Sequence, residues 1–242
     1  EQRLVEDVLV VAQGFGGRYV DFSGPGGGVR VRPGAPGSAV QLGLCLRVGE
    51  VGWVARRVRS WVEKEKAAGL CKSALVAAAE EELGALARTC GALGARSKGD
   101  LSLRALSAWL CGASLSRTRA LAQAVESVGH LHGGALSGAL WTRGTATGDT
   151  AARALLLKLA RRTAAPLFAM ARRWVLAGEI VDDFGEFWVH ESEEGTEGGG
   201  REKGVVGSAV CPAFLGGGVA AAIAGAGAAV RALRVQCHDE AW

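Results

Sequence analysis

The 242-residue sequence is poor in the residues from which catalytic and metal centres are usually built: four histidines, one tyrosine, one methionine and six cysteines, with no C-x-x-C pair. Cys45, Cys71, Cys90, Cys111, Cys211 and Cys237 stand far apart, whereas zinc and dithiol redox sites need close spacing to bring thiolates together. Disulfide frameworks belong to short secreted chains, and Cys within helical patterns behaves as a small buried hydrophobe. Reduced structural thiols are therefore expected. His130 and His132 are two apart, on different faces of any helix, with no Glu or Cys nearby to complete a ligand set. They read as an exposed helix-end pair. G-x-S-x-G and H-E-x-x-H are both missing, and no metal or cofactor is expected.

A strong excess of one sign of charge is also lacking. With 28 basic and 24 acidic residues the formal charge is +4, and the arginines are scattered rather than gathered in a stripe, which argues against nucleic acid. Residues 1–7 are charged and amphipathic, unlike a signal peptide. The uncharged stretch 219–230 is rich in Ala and Gly and falls short of the roughly 20 residues a bilayer demands, so no membrane span is expected. Starting without Met and stopping just after a helical pattern, the chain reads as a fragment.

What is present is helical periodicity. Leu4, Val5, Val8, Leu9 and Ala12 mark one face of an opening helix that Gly14 ends. Tyr19, Val20 and Phe22, then Val29 and Val31 across glycines, suggest a small β-hairpin. Residues 39–66 carry Leu42, Leu46, Gly49, Trp53, Val54, Val58, Trp61 and Val62 at helical spacing, with Arg56, Arg57 and Arg59 largely off that stripe. Further helices are expected over 70–93 and around Leu103–Leu110 with Asp100 as cap. Another holds Leu121 to Val128 with Ser114 or Ser116 as cap; one opens at Gly133-Gly134, and one follows Asp149. Pro166 reads as the first turn of a new helix, which turns Leu167, Met170, Trp174 and Val175 inward and stops at Gly178. An aromatic extended segment over 184–189, an acidic and Gly-rich loop expected to be flexible over 191–204 and a last helix over 219–237 follow. Mostly short loops argue an all-α antiparallel stack of helical bundles. Gly, at 37 residues, costs about 1 kcal/mol relative to Ala inside a helix, so most glycines are expected in loops. The abundance of Ala reads as nucleotide-composition bias.

Three constellations are weighed for chemistry. Gly14-Phe15-Gly16-Gly17 resembles a phosphate-cradling loop, but such a loop follows a strand and opens a helix, and here the order is reversed. A helix cap and turn is the better reading. Asp182, Asp183 and Glu186, beside His190, supply paired carboxylates of the kind a hydrolase uses; acidic turn residues after a helix are the plainer explanation. Five tryptophans, Trp53, Trp61, Trp109, Trp141 and Trp174, fall on helical apolar faces and are expected mainly in the core, or else on a docking surface.

Taken in order, several segments resemble the gamma-tubulin complex component (spindle pole body component) family. Leu4-Val5-Glu6-Asp7-Val8-Leu9 through Gln13-Gly14-Phe15-Gly16-Gly17-Arg18-Tyr19-Val20 is similar to the family's opening helix, turn and short strand. Glu50-Val51-Gly52-Trp53-Val54 resembles a Leu-Gly-Trp-Leu-like segment of the family's third component. Residues 74–86, Leu101-Ser102-Leu103-Arg104-Ala105-Leu106-Ser107-Ala108-Trp109, Gly133-Gly134-Ala135-Leu136 and Gly148-Asp149 resemble further helices and turns. The most specific likeness is over 166–189: Pro166, a hydrophobic helix, Trp174, Gly178-Glu179, an acidic turn with Asp183, then Glu186-Phe187 and aliphatics.

The resemblance implies an all-helical, non-enzymatic scaffold over 1–242, the N-terminal domain of such a component. It implies lateral contacts with other gamma-tubulin complex components, and gamma-tubulin binding through a C-terminal domain outside these residues. It also implies a role in microtubule nucleation at microtubule-organising centres and spindle poles in the cytoplasm. The opening helix (Leu4, Val8) and the 39–66 helix (Trp53, Trp61) are the expected lateral surface. The alternatives are a helical adaptor unrelated to microtubules and, third, a hydrolase using Asp182, Asp183 and Glu186.

Overall fold

The computed structural model describes residues 1–23, 28–65, 69–96, 101–190, 205–206 and 210–236. Side-chain caps explain where several helices begin. In α1 (Gln2–Ala12) the inward face is Leu4, Val5, Val8, Leu9, Val11 and Ala12, as the periodicity predicts. The expected hairpin forms from β1 (Val20–Asp21) and β2 (Arg30–Val31), antiparallel with Val20 opposite Val31. Helix α2 (Ala39–Glu65) starts at a reciprocal box. The Ser38 amide donates to the Gln41 side-chain oxygen at 2.9 Å, and the Gln41 amide donates to Ser38 Oγ at 3.4 Å. Its buried stripe is Cys45, Val48, Gly49, Val51, Gly52, Val54, Ala55, Val58 and Val62. Of the expected stripe Gly49, Val54, Val58 and Val62 are buried, whereas Leu46 is exposed and Leu42, Trp53 and Trp61 are half-buried.

Helix α3 runs Leu70–Arg96. The next, α4 (Leu103–Trp109), is capped by Ser102, whose Oγ accepts from the Ala105 amide at 3.2 Å; the expected cap, Asp100, lies outside the described residues. A single π turn over Leu110–Ser114 then joins α4 to α5 (Leu115–Val128) across a kink at Gly112, whose φ of −84° and ψ of −114° are not helical, and the side chains of the expected caps, Ser114 and Ser116, do not bond to the first turn of α5. Helix α6 spans Gly133–Ala146. In α7 (Thr150–Ala177), Asp149 Oδ1 accepts from the amides of Ala151 and Ala152 at 2.8 and 3.2 Å, as its sequence position predicts. Pro166 is a correction: it sits inside α7 rather than in a first turn. Proline supplies no N–H to the ladder. One turn earlier, Thr163 Oγ1 adds hydrogen bonds to the carbonyls of Leu159 and Ala160 at 3.0 Å each, and the helix continues.

The expected extended segment over 184–189 shrinks to its end. Residues 183–188 form a turn and bends, and only β3 (Val189–His190) pairs, antiparallel with β4 (Val205–Val206). The acidic loop over 191–204 lies outside the described residues. The last helix, α8 (Gly217–Gln236), starts two residues before the expected 219, and the expected end at 237 lies outside the described residues. By length and composition alone, its stretch Gly217–Val235 is apolar enough to cross a membrane. One such helix is weak evidence for a span, and Ala220 and Ala224 of this helix are buried in a core within the protein. Apart from the two small strand pairs, the described elements are helical, which bears out the all-α expectation.

The chain divides into two compact units. The first comprises Glu1–Lys66, Val76–Ser127 and Asp149–Leu155; the second comprises Ala67–Leu75, Val128–Gly148 and Leu156–Trp242. The core of the first gathers α1, Val20, the Cys45–Ala55 part of α2, Leu86, Cys90 and Leu93 of α3, and Leu103, Leu106, Leu110 and Leu115. The core of the second gathers Cys71, Leu167, Met170, Ala171, Trp174, Phe187, Trp188, Val189, Ala220 and Ala224. In the first, α1 ends against α2 at Gly52, where an added Cβ would lie 1.7 Å from the Val11 carbonyl oxygen. The contact is backbone on backbone, and neither side can rotate away. Gly52→Ala is therefore expected to destabilise the first unit by about 3 kcal/mol or more. Urea unfolding followed by circular dichroism would measure it, with Gly43→Ala as the control, since nothing lies within 4 Å of a Cβ there.

Candidate functional site

The 166–189 segment builds the second unit from within. Trp174 is 2% exposed, and its indole N–H donates to the Ala224 carbonyl of α8 at 3.2 Å. Gly227 lies against the same ring, with an added Cβ only 2.2 Å from it. Gly178 ends α7 with its amide donating to the Trp174 carbonyl at 2.8 Å. Asp182 then closes the following turn: Oδ1 accepts from the Glu186 amide at 3.0 Å and Oδ2 from the Phe187 amide at 2.7 Å. This aims Phe187 and Trp188 into the core, ring centroids 4.5 Å apart.

Glu186 is 1% exposed. Both of its oxygens accept from the Cys71 amide, at 3.0 and 3.2 Å. Cys71 is the second residue of α3, so its N–H belongs to the first turn, which has no partner inside the helix, and a negative charge there also meets the positive end of the helix dipole. Glu186 therefore caps a helix 115 positions away in sequence. The charge beside it adds to burial in pushing the Cys71 thiol up, burial being the larger cause. Burial likewise pushes Cys45 and Cys90 up to about 11. Cys45, Cys71, Cys90, Cys111 and Cys211 are all free thiols, and Cys237 lies outside the described residues.

General acid–base catalysis requires carboxylates poised over a substrate. Asp182 and Glu186 instead hold backbone amides, while Asp183 and His190 are exposed. Of the signature residues, the structure brings together Trp174, Gly178, Glu186 and Phe187. It does not join to them Pro166, Asp183 or Glu179, the last of which pairs with Arg173 at 3.0 Å on the surface.

In the Gly14–Gly17 turn the amides of Gly14 and Gly17 donate to the carbonyls of Val11 and Val20, at 2.8 Å each. The Asp7 carboxylate accepts from the backbone N–H groups of Arg18, Tyr19 (2.9 Å) and Val20 (3.2 Å). The anion held by these amides is the chain's own side chain, and Gly14, with φ of 90°, completes the turn after α1. Arginines stack over aromatic rings around it: Arg59 over Phe15 at 4.2 Å, Arg57 over Trp53 at 4.7 Å, Arg56 over Phe22 at 5.4 Å and Arg18 over Tyr19 at 5.5 Å.

The expected docking positions separate. Leu4 and Val8 are buried in the core and offer a neighbour nothing, a correction to their expected role, whereas Trp53 and Trp61 keep part of their rings in solvent. Trp109 is 62% exposed, against the core reading. The inward stripe of α4 is Leu103, Leu106, Ser107 and Leu110, and at 3.6 residues per turn Trp109 lies about 100° round from Leu110. Trp141 is partly exposed and meets Phe214 edge-on at 5.8 Å.

The sequence model of the gamma tubulin complex component N-terminal region matches residues 5–242. The chain belongs to the gamma-tubulin complex component family. It is 30% identical to gamma-tubulin complex component 3 of Arabidopsis thaliana over all of this chain and 31% of that protein. It is 24% identical to gamma-tubulin complex component 3 of Homo sapiens over 99% of this chain and 28% of that protein. The Xenopus laevis gamma-tubulin complex component 3 homolog is 26% identical over 78% of this chain and 22% of its own length. The chain thus spans less than a third of the length of these relatives.

In this family member the signature is first of all a structural clasp. Sequence reasoning missed the partner of Glu186, Cys71, because 115 positions separate them. It missed the Asp7 clasp as well, although an acidic residue on the inner face of an apolar helix was a usable signal. Glu186→Ala should lower stability by about 3 kcal/mol and Glu186→Gln by about 1 kcal/mol, since the amide oxygen still accepts. Asp183→Asn should stay within about 0.5 kcal/mol of the parent; urea midpoints decide. The thiols set a second expectation. A thiol held protonated in the folded state stabilises it fully below the ordinary value of 9.0 and progressively less as pH rises towards about 11. Stability should fall between those pH values, and by less in a Cys45→Ala/Cys90→Ala variant.

Proposed function

We propose that this chain is a structural part of a gamma-tubulin complex, in which its helices bind side by side to the corresponding region of neighbouring components. Family membership supports the complex, since the relatives it matches carry the name gamma-tubulin complex component 3. One observation favours assembly through these residues: large apolar side chains stay exposed on elements whose cores are already filled. Trp109 and Leu176 are 62% and 60% exposed, and Phe168 and Phe184 are about as open. Exposed apolar groups of this size mark docking surfaces, and tryptophans tend to dominate their energetics. Trp53 and Trp61, along one edge of α2, are the proposed lateral anchors, with Leu4 and Val8 packed in the core behind that helix.

On this reading gamma-tubulin is contacted by a region outside these 242 residues, and the assembled components template microtubule nucleation at microtubule-organising centres and spindle poles. The acidic segment, engaged in capping, supports a scaffold rather than a hydrolase. A helical adaptor unconnected with microtubules is the reading a pull-down of the complete protein without gamma-tubulin would favour. Co-expression with the N-terminal domain of a second component, followed by size-exclusion chromatography, should give one co-eluting complex. Trp53→Ala/Trp61→Ala should weaken it by about tenfold or more. Separate elution of the two parent domains would sink the proposal.

A further inference from the structure

One patch of the first unit has a charge pattern that lateral assembly does not call for. The turn after α1 is held rigidly against α2. Gly14 approaches the Arg56 backbone, an added Cβ being 3.1 Å from the Arg56 nitrogen, and the Phe22 ring lies 3.1 Å from the Cβ position of Gly52. Phe22, Gly14 and Phe15 therefore sit along successive turns of α2, beside Gly52, Arg56 and Arg59. Asp7 fixes the turn from the other side through three amides. Arg56 covers Phe22 and Arg59 covers Phe15, and Arg18 stands on the same turn. Among the described residues no carboxylate pairs with Arg18, Arg56 or Arg59. Arg57, one position along, does have one: Glu126 at 2.5 Å. Phe15 is still 51% exposed beneath its guanidinium.

We propose that the face formed by Phe15, Phe22, Arg56 and Arg59 docks an acidic peptide segment of a partner protein, one that carries an apolar side chain among its carboxylates. The chemistry selects that occupant. A guanidinium stacked on a ring is already oriented, so its planar fork meets a carboxylate with little further loss of side-chain freedom. The open part of Phe15 supplies an apolar contact that a bare anion would leave unused. Nucleic acid fits less well: the rings that would stack bases are covered by arginine, and Glu63 follows one turn on along α2. A membrane surface would call for a broad basic face, whereas only a few arginines converge here. The inference stands apart from lateral assembly, because it concerns the chain alone.

The test is fluorescence anisotropy on the 242-residue chain with a labelled oligoglutamate that carries one central phenylalanine. Binding should saturate and weaken with added salt. Arg56→Glu/Arg59→Glu should reduce affinity by about tenfold or more. Arg161→Glu/Arg172→Glu, which changes net charge equally on the exposed side of α7, should have little effect. Phe15→Ala should weaken the phenylalanine-bearing peptide several-fold and plain oligoglutamate by less, since it removes the apolar contact as well as the ring that orients Arg59. Unchanged thermal melts establish that each variant is folded, and a Phe15→Ala variant that melts early is replaced by Phe15→Leu. The proposal is overturned by an acidic peptide that does not saturate, by equal losses in both charge-reversed pairs, or by tighter capture of oligothymidylate or phosphatidylserine vesicles.

Discussion

A buried carboxylate at the start of a helix is the constraint on which the second unit turns. Glu186 is almost wholly removed from water, and a carboxylate in that position is tolerated only with donors at hand. The Cys71 amide supplies one, and the first turn of α3 supplies a favourable field. The pairing fixes the turn that Asp182 closes, and that turn sends Phe187 and Trp188 into the core beside Trp174. Removing the acid would leave a buried N–H without its acceptor, and removing the helix would leave a buried charge. Each needs the other, which is why a stretch with little regular secondary structure is nevertheless well determined.

The first unit uses the same device at its own turn. Asp7 points from the inner side of α1 to three consecutive amides, so the glycine-rich turn that follows is held at both ends, by Asp7 and by the α1–α2 crossing at Gly52. This rigidity explains how Phe15 can remain half in solvent while its position stays defined. Acidic residues that look available for chemistry in the sequence are thus, in both units, partners of the backbone.

What the sequence reveals follows from how far apart the interacting residues lie. Helix content, the α1 inner face, the small hairpin, the Asp149 cap and the Gly178 stop depend on neighbours within a few positions, and all of them appear as read. Pro166 was misread because its local preference for a first turn was outweighed by the packing of Leu159 and Leu167 on either side of it. Trp109 was misread because a tryptophan at apolar spacing was weighed by its chemistry rather than by its angle to Leu103, Leu106 and Leu110. Trp174 and Glu186 were recognised as parts of a signature, but their partners in α8 and α3 come from distant sequence, and nothing local announces them. Leu4 and Val8, expected at the lateral surface and found in the core, illustrate the limit of periodicity, which identifies an apolar face without saying whether the protein or a neighbour covers it.

Glycine carries the same lesson into energetics. At about 1 kcal/mol per interior position relative to Ala, helical glycines should be few, yet α2, α3, α6 and α8 all contain them. They divide into two kinds. At Gly43, Gly91 and Gly225 an added Cβ meets nothing within 4 Å, so packing there does not ask for glycine. At Gly52 and Gly227 the space is already filled, by the Val11 carbonyl and by the Trp174 ring. There the propensity cost is the condition for a close approach: α1 can reach the α2 backbone, and a tryptophan can lie flat on α8. At the first kind of position glycine costs only its helix propensity, about 1 kcal/mol relative to Ala, whereas the second kind could not have absorbed a larger residue. The helical scaffold therefore persists through a composition that would otherwise weaken it, because its large side chains, Trp174, Phe187 and Trp188 among them, are kept where the contacts between elements are made.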